Sequence, residues 1–195
     1  RQVLQSTPDH PVALHLLGVV ALQGGKFDVA IDLITKAIAI NPNFAEAHSN
    51  LGAAYRSQGN LDAAIASYNK AVSCNPDYAD ALYNLANTLK QLDRMDEAIA
   101  SLRKVISINP QFAEAHNNLG NALKEKGNLK DAVKSFNSAL SVKPDYTKAY
   151  NNLGTAHHDL GDLKAAEESY LNALSIEPGF AEAHNNLGNT LLKQN

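Results

Sequence analysis

The chain has 195 residues, 45% of them hydrophobic, which is enough for a sizeable buried core in one or two domains. Its net charge is −3 and its pI is near 6.2, with no run of like charge beyond two residues, so nothing marks a surface for nucleic acid or an anionic membrane. The longest apolar stretches, such as residues 11–22, carry polar residues and fall short of the roughly 20 apolar residues that a membrane span requires.

The single cysteine, Cys74, rules out an internal disulfide and any multi-cysteine metal centre, and fits a reducing, cytoplasmic setting. The chain opens on Arg1 without a signal-peptide pattern. Charged residues are scarce at 19%, whereas asparagine occurs 21 times, an excess that asks for a reason.

Taken in chain order, the prolines supply the period. Pro8, Pro42, Pro76, Pro110, Pro144 and Pro178 are each separated by 34 residues, and only Pro11 stands outside the series. Leu17, Leu51, Leu85, Leu119, Leu153 and Leu187 keep the same interval, each followed by Gly18, Gly52, Gly120, Gly154 or Gly188, with Ala86 in the one gap. Ala30, Ala64, Ala98, Ala132 and Ala166 form a further small-residue column, as do Ala37, Ala71, Ala139 and Ala173, interrupted by Val105. Such columns mark where two helices approach closely. Within one unit, residues 79–92 and 96–108 each place apolar residues at three-to-four spacing, which predicts two amphipathic helices. Gly59-Asn60, Gly127-Asn128 and Gly161-Asp162 pair a residue that tolerates the left-handed conformation with a good N-cap, the signature of one helix stopping and the next starting. At Asp93-Arg94 the third turn must manage without glycine. Each periodic proline follows a second helix and stops it.

A 34-residue helix-turn-helix with Leu-Gly in the first helix, two alanines in the second and a closing proline resembles the tetratricopeptide repeat family, over essentially the whole chain. The resemblance implies an all-α, right-handed superhelical solenoid, one array with full repeats at residues 11–44, 45–78, 79–112, 113–146 and 147–180. Residues 1–10 are expected to end a preceding repeat and residues 181–195 to form a first helix alone, as in a piece of a longer array. It also implies a non-catalytic module binding a peptide or protein segment along a concave groove lined by first helices. No cofactor, metal, nucleic acid or membrane is expected as a partner.

The candidate binding residues are those that the helix-turn-helix does not need. Asn50, Asn84, Asn118, Asn152 and Asn186 precede the Leu-Gly or Leu-Ala pair, although asparagine is a mediocre helix former. A side-chain amide offers an acceptor and donors, the complement of a peptide group. With helices about 8–10 Å apart and an extended peptide advancing about 3.3–3.6 Å per residue, each rung would meet every third residue of a bound backbone. The column resembles the asparagine ladder of O-linked N-acetylglucosamine transferases, which implies a second role, the substrate-recruiting region of a larger glycosyltransferase. Hydrogen bonding between neighbouring helices is the competing explanation. Asn87, Asn121 and Asn189 would widen the strip one turn on, and Arg56, Lys90 and Lys124 would add positive charge. A third role is a scaffold that self-associates through open repeat ends, since no second helix follows to cover Leu187, Leu191 and Leu192.

Other columns read as architecture. Glu46, Asp80, Glu114 and Glu182 form an acidic column expected to serve helix capping, with Asn43 and Glu46, and Asp77 and Asp80, at capping-pair spacing, and their sign argues against a groove for acidic chaperone C-termini. Phe44, Tyr78, Phe112, Tyr146 and Phe180 are expected to pack as staples, and His48, His116 and His184 to occupy packing positions too far apart to share a metal. His157 reads as packed, and Cys74 as a buried, inert thiol.

Overall fold

The computed structural model describes residues 10–194. Among these there are eleven helices and no strand: α1 (Pro11–Gln23), α2 (Phe27–Ile40), α3 (Ala45–Ser57), α4 (Leu61–Cys74), α5 (Ala79–Gln91), α6 (Met95–Ile108), α7 (Ala113–Glu125), α8 (Leu129–Val142), α9 (Thr147–Asp159), α10 (Leu163–Ile176) and α11 (Ala181–Gln194). The expected tail of an earlier helix falls almost wholly outside the described residues. The chain divides into two compact units, Arg1–Ser101 and Leu102–Asn195, with the division inside α6. In the first unit α1 packs on α2, α2 on α3, α3 on α4 and α4 on α5; in the second, α7 through α11 pack in the same order. First helices also touch one another, α1 with α3, α3 with α5, α7 with α9 and α9 with α11.

Backbone geometry explains the punctuation. Within each repeat the turn places one residue in the left-handed region: Gly25, Gly59, Gly127 and Gly161 at φ between +70° and +81°, and Asp93 at +58°. The next amide then reaches back five residues, Lys26 to Ala21, Asn60 to Tyr55, Arg94 to Leu89, Asn128 to Leu123 and Asp162 to His157, at 2.9–3.0 Å. That bond closes the helix C-terminus in a Schellman geometry. The third turn thus works without glycine because aspartate is one of the few other residues that tolerate this conformation. Asn60 and Asp162 accept from the amides of Ala63 and Ala165 as side-chain caps, both at 3.2 Å, while Asn128 holds its N-cap position without such a bond. Between repeats, the amides of Phe44, Tyr78, Phe112, Tyr146 and Phe180 bond the carbonyls three residues back, with the periodic proline as second residue of the turn. Its fixed φ suits that position, so the proline shapes the connection as well as ending the helix.

The glycine column sets how closely the helices of a repeat approach. A Cβ added at Gly52, Gly120 or Gly154 would lie 2.7, 2.5 or 2.5 Å from the ring of Tyr68, Phe136 or Tyr170, and one at Gly18 would lie 2.5 Å from Ile34. All four partners are fully buried or nearly so, as are the alanine columns around them. In the first unit Ala30, Ile34, Ala47 and Ala54 form such a cluster, with Leu22, Ile31, Ile38, Phe44 and Leu51 against it.

Gly188 has nothing within 4 Å, which separates packing from helix propensity at one motif position. Gly120→Ala and Gly154→Ala are expected to destabilise by about 1–3 kcal/mol through overpacking. Gly188→Ala should instead stabilise by up to about 1 kcal/mol through propensity alone. Urea unfolding followed by circular dichroism checks the contrast; equal effects at the three sites would refute it.

Candidate functional site

The asparagine rungs are not free-standing. Asn152 Nδ2 donates to Asn117 Oδ1 at 2.9 Å, and Asn186 Nδ2 donates to Asn151 Oδ1 at 3.0 Å, so each rung reaches the preceding first helix. In the first unit Asn50 Nδ2 donates to His15 Nε2 at 2.8 Å. The competing explanation therefore describes a real contact. The acceptors lie 35 residues back, in a column reading His15, Ser49, Tyr83, Asn117, Asn151 and Asn185. Because its residue types vary, the column leaves no trace in the period. Asn117 and Asn151 are buried while Asn50, Asn84, Asn118, Asn152 and Asn186 are half-buried, so the network has a buried side and an accessible side. Asn87 and Asn121 are half-buried one turn on, and Asn189 is exposed.

Arg56, Lys90 and Lys124 sit in the last turns of α3, α5 and α7, where a cation also suits the helix dipole. Lys124 does more: its Nζ donates to Thr155 Oγ1 of α9 at 3.1 Å. With Thr155, His158, Asp159, Tyr170, Asn186 and Asn189 it lines a polar cleft of about 240 Å³ in the second unit. Burial, reinforced by the charge of Asp159, pushes the Tyr170 hydroxyl up to about 12 against a hydrogen bond with Thr190. It is therefore a neutral donor at physiological pH.

Three expectations are corrected. Helices α3, α5 and α7 take Phe44, Tyr78 and Phe112 as N-cap without a side-chain capping bond, so Asn43 and Glu46 do not form a capping pair. The proline turn starts the helix one residue later than that pair needs, and the acids instead lie in the first turn, where the dipole favours them. Cys74 is partly exposed at the end of α4, its Sγ 3.9 Å from the Pro42 carbonyl. The histidines do more than fill space: Nε2 of His48, His116 and His184 donates to the carbonyls of Pro42, Pro110 and Pro178 at 2.8, 3.0 and 2.8 Å. Each ties its first helix to the preceding turn. The six-residue His–Pro interval in three repeats was the signal that could have revealed it. His157 is half-buried, with its Nδ1 buried and unpaired at 3.9 Å from Asp162. Among the described residues no three His, Cys, Asp or Glu side chains gather as a metal site, and no helix is long and apolar enough to cross a membrane.

Family models agree with this geometry. One described as "TPR repeat" matches residues 53–93, 88–127, 120–161 and 156–195, and two described as "Tetratricopeptide repeat" match residues 33–66 and 11–44. The chain belongs to the tetratricopeptide repeat family. As a repeat protein of this kind it is similar to MamA, at 28% identity over 88% of this chain and 94% of that one, with a TM-score of 0.80. It shares its fold with MamA from Desulfovibrio magneticus RS-1, at 20% identity over 88% and 97% of the two chains and a TM-score of 0.80. YrrB, described as a TPR protein with an unusual peptide-binding site, also shares the fold, at 20% identity over 94% and 95% and a TM-score of 0.81. No curated protein matches the chain.

The first rung of this TPR array is expected to weaken in acid because it rests on His15. His15 is buried, 4.7 Å edge-on from Phe44, and its Nε2 accepts from Asn50, which requires the neutral ring. Burial lowers its pKa, opposed by Glu46. A depressed folded-state pKa gives stability that is present above the ordinary histidine value near 6.5 and is lost as pH falls through the folded-state value. His15→Asn installs the residue found at 117 and 151. Between about pH 7.5 and about pH 5 its melting temperature should fall less than that of the parent; an equal or larger fall would refute the assignment.

Proposed function

We propose that this chain is a protein-interaction module that holds an extended peptide or protein segment by its backbone along the asparagine-bearing first helices. The observation that carries this is the bond that Asn152 and Asn186 each make to the preceding first helix. It uses one of the two Nδ2 hydrogens and holds the side chain in place, so the amide's remaining capacity is oriented before a ligand arrives. Each exchange of water for a peptide group contributes about 0.5–1.5 kcal/mol, so several rungs act together. The peptide-binding site named for YrrB, on the same fold, is consistent with this use. A recruiting region of a larger glycosyltransferase would employ the same backbone grip, and the test below applies to it unchanged.

The test separates the two jobs of the ladder. Peptides of about twelve random residues are selected against the chain and measured by fluorescence anisotropy. Replacing Asn152 and Asn186 by Ala removes the ligand-facing amides and leaves Asn117 and Asn151 without a donor, at a stability cost of about 1–3 kcal/mol per site. Replacing Asn117 and Asn151 by Ala breaks the same bonds but keeps the rungs. Binding should weaken by about tenfold or more in the first variant and only a few fold in the second. Equal losses, or a library that yields no binder, would sink the proposal.

Self-association rests on a separate observation. Val20 of α1 is 63% exposed, although its column is fully buried in the later repeats as Ala54, Thr88, Ala122, Ala156 and Thr190, and Leu192 of α11 is 79% exposed in the column of Arg56, Lys90 and Lys124, so each unit presents exposed apolar side chains. Light scattering should show mass rising with concentration, and Val20→Glu with Leu192→Glu should abolish the rise. A constant monomer mass for the parent chain would refute it.

A further inference from the structure

In the first unit, α3 and α5 each lie on the second helix before them. Ala47 and Ala54 of α3, fully buried, cluster there with Ala30 and Ile34 of α2. Among the described residues no helix takes that place ahead of α1. Its equivalent residues are Ala13, half-buried, and Val20, exposed. With Leu17 and Ala21, Val20 forms one wall of an apolar groove of about 420 Å³, and Val29 and Leu33 of α2 form the other. This face is not a copy of the inner ones. Leu16 stands where Asn50 donates to His15 of the preceding first helix, and Gly24 stands where Gln58 Nε2 donates to Asp28 Oδ1 of the preceding second helix at 2.6 Å. Leu33 stands where later repeats bury Ser67, Ser135 and Ser169. The polar links that tie a repeat to its predecessor are gone, and apolar bulk has taken their place.

We infer that this face pairs two copies of the chain about a two-fold axis, α1 of each copy lying on α2 of the other across the groove. This rests on the self-association proposal and names its face, its partner and its stoichiometry. What α1 lacks is a second helix, and in a two-fold contact the α2 of each copy supplies it to the other, so both grooves close at once. Stacking end on end does not do this. The exposed α11 is a first helix as well, and set against α1 it would leave both without a second helix. Charge does not oppose the contact: α1 carries no Asp, Glu, Lys or Arg, and the groove's one charge, Lys26, is exposed in the turn. Contact takes Val20, Val29 and Leu33 of both copies out of water. Two helices about 20 Å long and about 10 Å apart present a face of about 400 Å² in projection, which places this contact among the weak, concentration-dependent dimers.

Sedimentation velocity tests it, with a reducing agent present to exclude dimers through Cys74. The parent chain should pass from monomer to dimer as concentration rises, and no further. Val20→Lys and Val29→Glu each put a charge into the groove from an exposed position, the second installing the residue found at 97 in the same column, so both should keep the helical signal of the parent. Each variant alone should weaken dimerisation by about tenfold or more. An equimolar mixture of the two should restore it, because the new ammonium of one copy then meets the new carboxylate of the other while native valines meet across the second contact. Leu192→Glu should leave the dimer as it was. Association that survives Val20→Lys and Val29→Glu, that grows past a dimer, or that the mixture does not restore would overturn this pairing and leave self-association by another face standing. A chain that stays monomeric at every concentration would overturn both and leave the groove to a partner of another kind.

Discussion

The fold depends on a missing atom. At Gly52, Gly120 and Gly154 a ring from the second helix occupies the volume that any Cβ would need, and this lets the two helices of a repeat close on each other. The partner rings, Tyr68, Phe136 and Tyr170, are then buried to 1% exposure or less, which is where aromatic side chains contribute most to a core. Such a contact is short-range in sequence, sixteen residues apart, so it can be repeated along a chain without a long-range partner. This is the physical basis of a 34-residue unit that needs only its neighbours.

The same ring links one repeat to the next. Tyr170 is packed against Gly154 of its own repeat, while its hydroxyl is bonded to Thr190 of α11. Thr190 is fully buried and returns its own hydrogen to the Asn186 carbonyl, so a ring placed by a glycine also steadies the helix that carries a rung. In the first unit Tyr68 occupies the corresponding place, but its buried hydroxyl has no partner among the side chains around it. The two units thus use one packing solution with different degrees of polar satisfaction.

Polar groups between first helices face the same requirement. Asn117 and Asn151 are 5% exposed, and an amide buried to that extent needs partners. The rungs provide them, and in doing so they become fixed. A residue with an architectural bond on one side and accessible capacity on the other is well suited to binding, because little conformational freedom remains to be lost. An architectural bond at these positions is therefore compatible with the proposed recognition role.

Periodicity alone determined the helix-turn-helix unit, the helix order and the close-contact columns, because each depends on residues within one repeat: Pro42 and its equivalents stop and turn the chain, and Gly52 requires no Cβ. It also singled out the column of Asn152 and Asn186. What it left open was which groups those amides meet, since the acceptors lie one repeat and one position away in a column of mixed residue types. The cleft around Lys124 was still less legible, because it gathers residues from α7, α9, α10 and α11 whose types change from one repeat to the next, as Lys124 to His158 and Thr155 to Asn189. The His–Pro carbonyl bonds and the aromatic N-cap of the first helices were decided by the tertiary structure, as both follow from the path of the turn. Local rules fix each helix and its ends; only the stacking of one repeat on another decides which side chains meet across them.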